Sequence, residues 1–317
     1  MHELLGKADE VPPILPQPVL DRISLKQGDQ ASTESLTGVS QKAASLKVDL
    51  FNQSLLLNQL TEEGQVRETA RLRSLGLPRA GDWLSVVPLK ALGLHLHGPE
   101  FVPCLRYRLG VPVYAADGTC PSCSAPSDKM GDHALGCAKH GERIARHDQL
   151  RDVLYEAASS ASLAPVREER HLLPGTAARP GDLFIRRWSD GKDAAIDVTV
   201  TGPLARSNAE GAAAEARSAL EKAFKRKVQG AAQACQQQGL AFLPVALETL
   251  GGFHVAAVEQ VKRIGAALAR HQGSEDHVAT RQLFQRLSLT LMRGNAAMLM
   301  SRRPDDEFAP AEVDGVE

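Results

Sequence analysis

Apolar positions change their spacing repeatedly along the chain, and the changes mark out elements. Between 41 and 75, Leu46, Val48, Leu50, Leu55, Leu56 and Leu60 fall at partly helical intervals, and Arg67, Arg71 and Arg73 give the far end a basic side. Residues 79–114 carry short apolar runs around Trp83, Leu89 to Leu96 and Phe101 to Val113, broken by Gly and Pro, which predicts small helices joined by tight turns. Ile144, Leu150, Val153, Leu154, Ala157 and Ala158 predict an amphipathic helix over 141–161. The period then drops to two. Strand-like runs cover 165–173, 182–188 and 194–200, with turn signals at Gly175-Thr176, Ser189-Asp190-Gly191 and Gly202-Pro203. An Ala-rich helix over 208–238 closes at Gly239, a strand follows at 242–247, and two helices near 255–271 and 277–301 are expected on the outside.

The predicted order is helix, three strands, helix, strand, a mixed α/β core over 141–272. Ahead of it stand a flexible segment at 1–40, where Pro12, Pro13, Pro16 and Pro18 break any helix, and a helical subdomain at 41–115. A Cys/His segment occupies 116–140, a C-terminal helix 273–303, and an acidic tail, expected to be disordered, 304–317.

Composition changes this picture in a few places. A hydrophobic content of 43% over 317 residues supplies a core for about two domains. The net charge of -1 conceals an asymmetry: Asp305, Asp306, Glu307, Glu312, Asp314 and Glu317 lie in the tail, and setting those six negative charges aside leaves residues 1–304 at +5. That balance permits phosphate binding. No run approaches the roughly 20 apolar residues of a membrane span, and residues 1–17 lack a secretory leader pattern, so a nuclear or cytoplasmic location and no membrane partner are expected.

Cysteine placement points to metal rather than disulfides. Cys120, Cys123, His133 and Cys137 follow the spacing C-x2-C-x9-H-x3-C, which brings three thiolates and an imidazole from a short loop around one Zn²⁺. All four positions are filled by protein, so the expected site is structural. The alternative is a set of buried thiols, and His140 and Cys104 are spare candidates for a ligand.

The second chemical feature is a carboxylate pair. Asp182 opens one predicted strand after Arg179-Pro180-Gly181, and Asp197 lies within the next, with fourteen residues between them. In adjacent antiparallel strands the two can converge and offer hard oxygen ligands to Mg²⁺ or Mn²⁺. Strand alternation puts Ala195, Asp197, Thr199 and Thr201 on one face. Glu168 or Glu169, on the preceding strand, is a candidate third carboxylate. Arg146, His147 and Arg151, on the helix after the Cys/His segment, are candidate phosphate contacts. The alternative is that the arginines pair with Glu142, Asp148 or Asp152.

Arg-Pro-Gly-Asp182, fourteen residues and Ile-Asp197-Val-Thr, set in that order of elements, resemble the PD-(D/E)XK restriction-like nuclease superfamily. Preceded by the Cys-Cys-His-Cys group, they resemble the C-terminal region of LINE-like, non-LTR retrotransposon polyproteins. Gly131 to Cys137, Arg146 to Asp152, Asp193 to Thr199, Glu100-Phe101 and Arg106 to Gly110 are similar to stretches of such reading frames, and the resemblance covers about residues 65–270. It implies a zinc knuckle beside a metal-dependent DNA endonuclease used in target-primed insertion. RNA is a further possible partner, and a reverse transcriptase would be supplied elsewhere. A catalytically degenerate binding protein or a truncated relic is the alternative. Two positions depart from the family: Gly181 separates Pro180 from Asp182, and Thr199 stands where a lysine is usual. In some branches that lysine sits on the next helix, where Lys222, Lys225 and Lys227 are available. Lys227 falls within the apolar stripe of Leu220, Phe224, Val228, Ala231 and Cys235, and is the expected one.

Overall fold

The computed structural model describes residues 41–173, 178–189 and 191–303. The lead-in expected at 1–40, the tail expected at 304–317, the Gly175-Thr176 turn and Asp190 lie outside the described residues. The chain divides after Gln65. The first unit contributes helix α1 (Gln41–Glu62), on which Leu46, Leu50, Leu55 and Leu56 are exposed.

The second unit runs through α2 (Val66–Leu75), two 3-10 turns (Asp82–Ser85 and Lys90–Leu92), α3 (Gly98–Leu109) and a short hairpin, β1 (Gly118–Thr119) and β2 (Pro126–Ser127). Then come α4 (Asp132–Gly136), α5 (Glu142–Ser160), β3 (Val166–Arg167), β4 (Leu183–Ser189) and β5 (Lys192–Thr201). It ends with α6 (Ala209–Ala214), α7 (Ser218–Gln237), β6 (Ala241–Glu248), α8 (Val255–Gln272) and α9 (Asp276–Ser301). Ala70, Tyr107, Val113 and Tyr114 share a core with Ala134 and Leu135 of the Cys/His segment and with Met298 and Leu299 of α9, because short helices bury too little apolar surface alone.

Strands β3 to β6 form one sheet in the order β3-β4-β5-β6. β3, β4 and β5 pair antiparallel, and β5 and β6 pair parallel. A parallel neighbour needs a crossover, which α6 and α7 supply. The architecture is thus mixed α/β, in the predicted order except that the single helix expected over 208–238 is broken at 215–217 into α6 and α7, where Glu215 turns extended and Arg217 adopts positive φ. The first predicted strand shrinks from 165–173 to Val166–Arg167, because Ala164, Glu168 and His171 all adopt positive φ and break the extended run.

Both faces of the sheet are covered. Leu183, Ile185, Ile196, Val198, Val245 and Leu247 pack against α5, α8 and α9. On the opposite face Phe184 and Ala195 meet Cys235 and Leu240, and Ala246 meets Leu220. This explains why β5 reads as a nearly unbroken buried run.

The last helix does not lie on the outside, as its pattern suggested. α9 is buried along most of its length, from Leu283 and Phe284 to Met298 and Leu299. It also carries polar groups into the interior. Arg146 of α5 lies directly over Gly294, where an added Cβ would come within 2.3 Å of Arg146 Cγ. The Arg146 Nη1 donates to Asn295 Oδ1 at 2.7 Å, and Asn295 Nδ2 donates to the Thr249 carbonyl at 2.8 Å. Arg146 is only 2% exposed, and burial pulls its pKa down to about 10. It is an interior residue, which removes it from the expected phosphate contacts.

A second interior charge sits at the end of β6. Glu248 is 1% exposed, and burial raises its carboxyl to about 7, partly offset by the Ser74 hydroxyl. A folded-state pKa above the unfolded value favours folding below about pH 4.5, and this contribution is lost as pH rises through 7. Glu248→Gln should therefore raise the melting temperature more at pH 8 than at pH 5, by a difference on the order of 3 kcal/mol in stability. Equal shifts at the two pH values in thermal melts would count against a buried, ionising Glu248.

Candidate functional site

The Cys/His site is built by local hydrogen bonds. Cys120 N–H donates to the Ala125 carbonyl and Ser124 N–H to the Cys120 carbonyl, both at 2.9 Å, which folds the CxxC into a tight turn. Pairing of β1 with β2 holds this turn. The Asp128 carboxylate then accepts from the N–H groups of Asp132 (2.9 Å) and His133 (2.7 Å), fixing the start of α4 and aiming His133 back at the turn. Arg67 grips Asp132 through two hydrogen bonds of 2.7 and 3.0 Å.

The donor atoms of Cys120, Cys123, His133 and Cys137 all lie within 4.8 Å of one another, and Cys123 Sγ is 3.3 Å from His133 Nε2. A tetrahedron with Zn–S bonds of about 2.3 Å has ligand-to-ligand edges of about 3.8 Å, so the set fits a metal such as zinc. It is the one such group found among the described residues. His140 and Cys104 lie outside it, and Cys104 Sγ instead approaches the Met292 carbonyl at 3.3 Å.

The carboxylates meet at the β4–β5 pairing. Leu183 lies opposite Ile196 and Phe184 opposite Ala195, and continuing this register sets Asp182 opposite Asp197. Gly181 has a steric reason to precede Asp182. A Cβ at Gly181 would stand 2.8 Å from the Ile196 carbonyl oxygen, so only glycine lets the chain come this close to β5. The approach is sealed by Asp182 N–H donating to that carbonyl at 2.8 Å.

Each carboxylate is then oriented. Asp182 Oδ2 accepts from Val198 N–H at 2.6 Å, and Asp182 Oδ1 lies 3.1 Å from His147 Nε2. Asp197 Oδ2 is 2.7 Å from Lys227 Nζ. Lys227 reaches the pair from α7, whereas Lys222 Nζ donates to the Ser207 carbonyl and Asn208 Oδ1 instead. Burial raises the Asp197 carboxyl above its ordinary value, and the neighbouring charge of Asp182 adds to the effect, while Lys227 and His147 oppose it. The hydrogen bond to Asp182 raises the His147 imidazole.

Glu168 is tied to the pair through the backbone, its N–H donating to the Asp182 carbonyl at 2.9 Å. Its carboxylate is taken by Arg151 Nη1 at 3.0 Å and by Arg179. Glu169, half-buried, comes after the strand has ended. Arg151 also pairs with Asp148 and Asp152, so it braces α5 against the sheet, as the simpler expectation had it. His147 turns to Asp182 and thereby joins the carboxylate site.

From sequence Glu248 stays ambiguous between a surface and a site residue, Arg179 enters only as part of the Arg-Pro-Gly-Asp182 motif, and Val198 N–H gives no sign of its role. Arg179 precedes Pro180 in the same motif as Asp182, and that adjacency was the available signal. Backbone donors leave no trace in residue identities.

No protein-family model matches the chain, and no curated protein sequence matches it. No helix among the described residues is long and apolar enough to cross a membrane.

Proposed function

We propose that this chain is a metal-dependent DNA endonuclease module of the restriction-like type, paired with a structural zinc knuckle and derived from a non-LTR retroelement. The observation that carries the reading is Lys227 Nζ at 2.7 Å from Asp197, across from Asp182, delivered by α7 in the crossover from β5 to β6. Thr199 occupies the usual lysine position, and the cation comes to the same carboxylate from elsewhere.

Asp182 and Asp197 would hold Mg²⁺ or Mn²⁺, hard cations suited to carboxylate oxygens. A divalent cation, when bound, polarises the phosphate and lowers the pKa of an attacking water. Lys227 places a positive charge where negative charge grows on the phosphate. Val198 N–H and His147 fix the Asp182 carboxylate, so little reorganisation is needed on binding. Cys120, Cys123, His133 and Cys137 would hold Zn²⁺ with no open position, which makes that centre structural. A reverse transcriptase would act with it as a separate partner.

The test is nicking of supercoiled DNA with Mg²⁺ or Mn²⁺ by the native chain, Asp182→Ala and Asp197→Ala. Nicking by the native chain alone supports the reading. Equal nicking by all three removes the two aspartates from catalysis. If the native chain binds DNA without cutting it, the module binds nucleic acid and does not hydrolyse it.

A further inference from the structure

Arg302 stands just beyond the last turn of α9 and is 0% exposed, the largest fully buried side chain among the described residues. Its Nη2 donates to the Lys139 carbonyl and, at 2.7 Å, to Glu142 Oε2, while Nη1 donates to Ser301 Oγ at 2.8 Å. Lys139 is two residues beyond Cys137, so the guanidinium stands at the exit of the Cys/His segment. One planar group thus joins the chain leaving the Cys/His segment, the end of α9 and the first residue of α5. Lysine cannot reproduce this, because an ammonium lacks the fixed fork of donors.

The charges give the arrangement a reason. Three thiolates and a neutral imidazole around Zn²⁺ leave a net charge of about -1. A buried guanidinium beside that centre offsets the charge, and the centre and Glu142 in turn compensate a cation that would be costly alone. Groups that hold a ligand from behind govern how tightly the metal is bound.

We propose that Arg302 is a positioning residue of the zinc centre, clamping the chain two residues beyond Cys137 and tying metal loading to the docking of α9 and α5. This rests on the reading of the Cys/His group as a zinc site. The link extends further, because α5 also carries His147 to Asp182, so the knuckle and the carboxylate site share one rigid element.

The experiment is chelator competition for Zn²⁺ on the full chain, native against Arg302→Gln and Arg302→Lys, with thermal melts of each protein before and after zinc is stripped. Arg302→Gln should bind zinc about 10- to 100-fold more weakly, with Arg302→Lys between it and the native chain. Its melting temperature should fall mainly in the zinc-loaded form. Glu142→Gln, which leaves Cys137 and Arg302 in place, should show a smaller loss of zinc affinity. Unchanged zinc affinity in Arg302→Gln would overturn the proposal, and so would an equal drop in melting temperature with and without zinc, the mark of a purely structural arginine. A native chain that takes up no zinc would instead remove the zinc reading beneath it.

Discussion

Asp197→Asn is expected to eliminate metal-dependent DNA nicking while leaving the fold intact. The substitution removes one of two carboxylates that would hold the cation, and the loss of several kcal/mol of transition-state stabilisation corresponds to about 10³-fold or more in rate. Stability should hold for a physical reason. Burial already disfavours the ionised form of Asp197, so an isosteric neutral amide costs little there. Lys227 loses its partner but is about one-third exposed and can reach water. Lys227→Met should lower the nicking rate by about 10²- to 10³-fold, the usual scale for one lost charge-stabilising donor. Rates from plasmid nicking, read beside thermal melts of the same samples, check both expectations. Nicking by Asp197→Asn at the native rate would end the assignment, and so would inactivity that arises only from unfolding.

Stripping zinc from the proposed knuckle is expected to have the largest effect on stability. Structural zinc contributes an apparent 10–16 kcal/mol in small zinc-finger peptides, at about pH 7. Here the loop also helps to cover a shared core, in which Ala134 and Leu135 pack with Tyr107, Val113, Tyr114 and Leu299. Tyr114 is anchored there through its hydroxyl, which donates to the Leu299 carbonyl at 2.8 Å. Loss of even half the peptide value should lower the melting temperature by about 10 °C or more in a unit of this size. Cys120→Ser combined with Cys137→Ser should mimic the stripped protein, and added zinc should restore the native chain but not the double variant. A stripped native chain that melts at the same temperature as the loaded one would refute the expectation.

Much of this arrangement could be read from residue order. The drop from helical to two-residue periodicity after position 161 marks the sheet, and the C-x2-C-x9-H-x3-C spacing marks the Cys/His set that could hold a metal. Fourteen residues between Asp182 and Asp197 suit a pair of adjacent antiparallel strands, and Lys227 followed from helical phase on α7. What escaped was the packing partner of each face. Leu283, Leu287 and Leu291 give α9 an apolar stripe that would suit an outer helix as well as a central one, and only the other elements decide between them. Arg146 was misplaced for the same reason, since its charge suggests solvent while the gap left by Gly294 draws its stem inward. Positive φ at Glu168 likewise depends on where the chain must turn, which residue type alone does not disclose.

Pro244 lies beside Asp197 in the parallel register of β6, on the outermost strand of the sheet. Ala246 and Glu248, which share its parity along β6, turn their backbone groups away from β5 toward the returning chain at His254 and Gly252. The missing N–H of Pro244 therefore belongs to the outer margin. Above it the returning chain covers that margin, and at Pro244 there is no donor for a foreign strand to meet. The sheet is thus capped beside its charged site, which guards the chain against growing into filaments through its own edge.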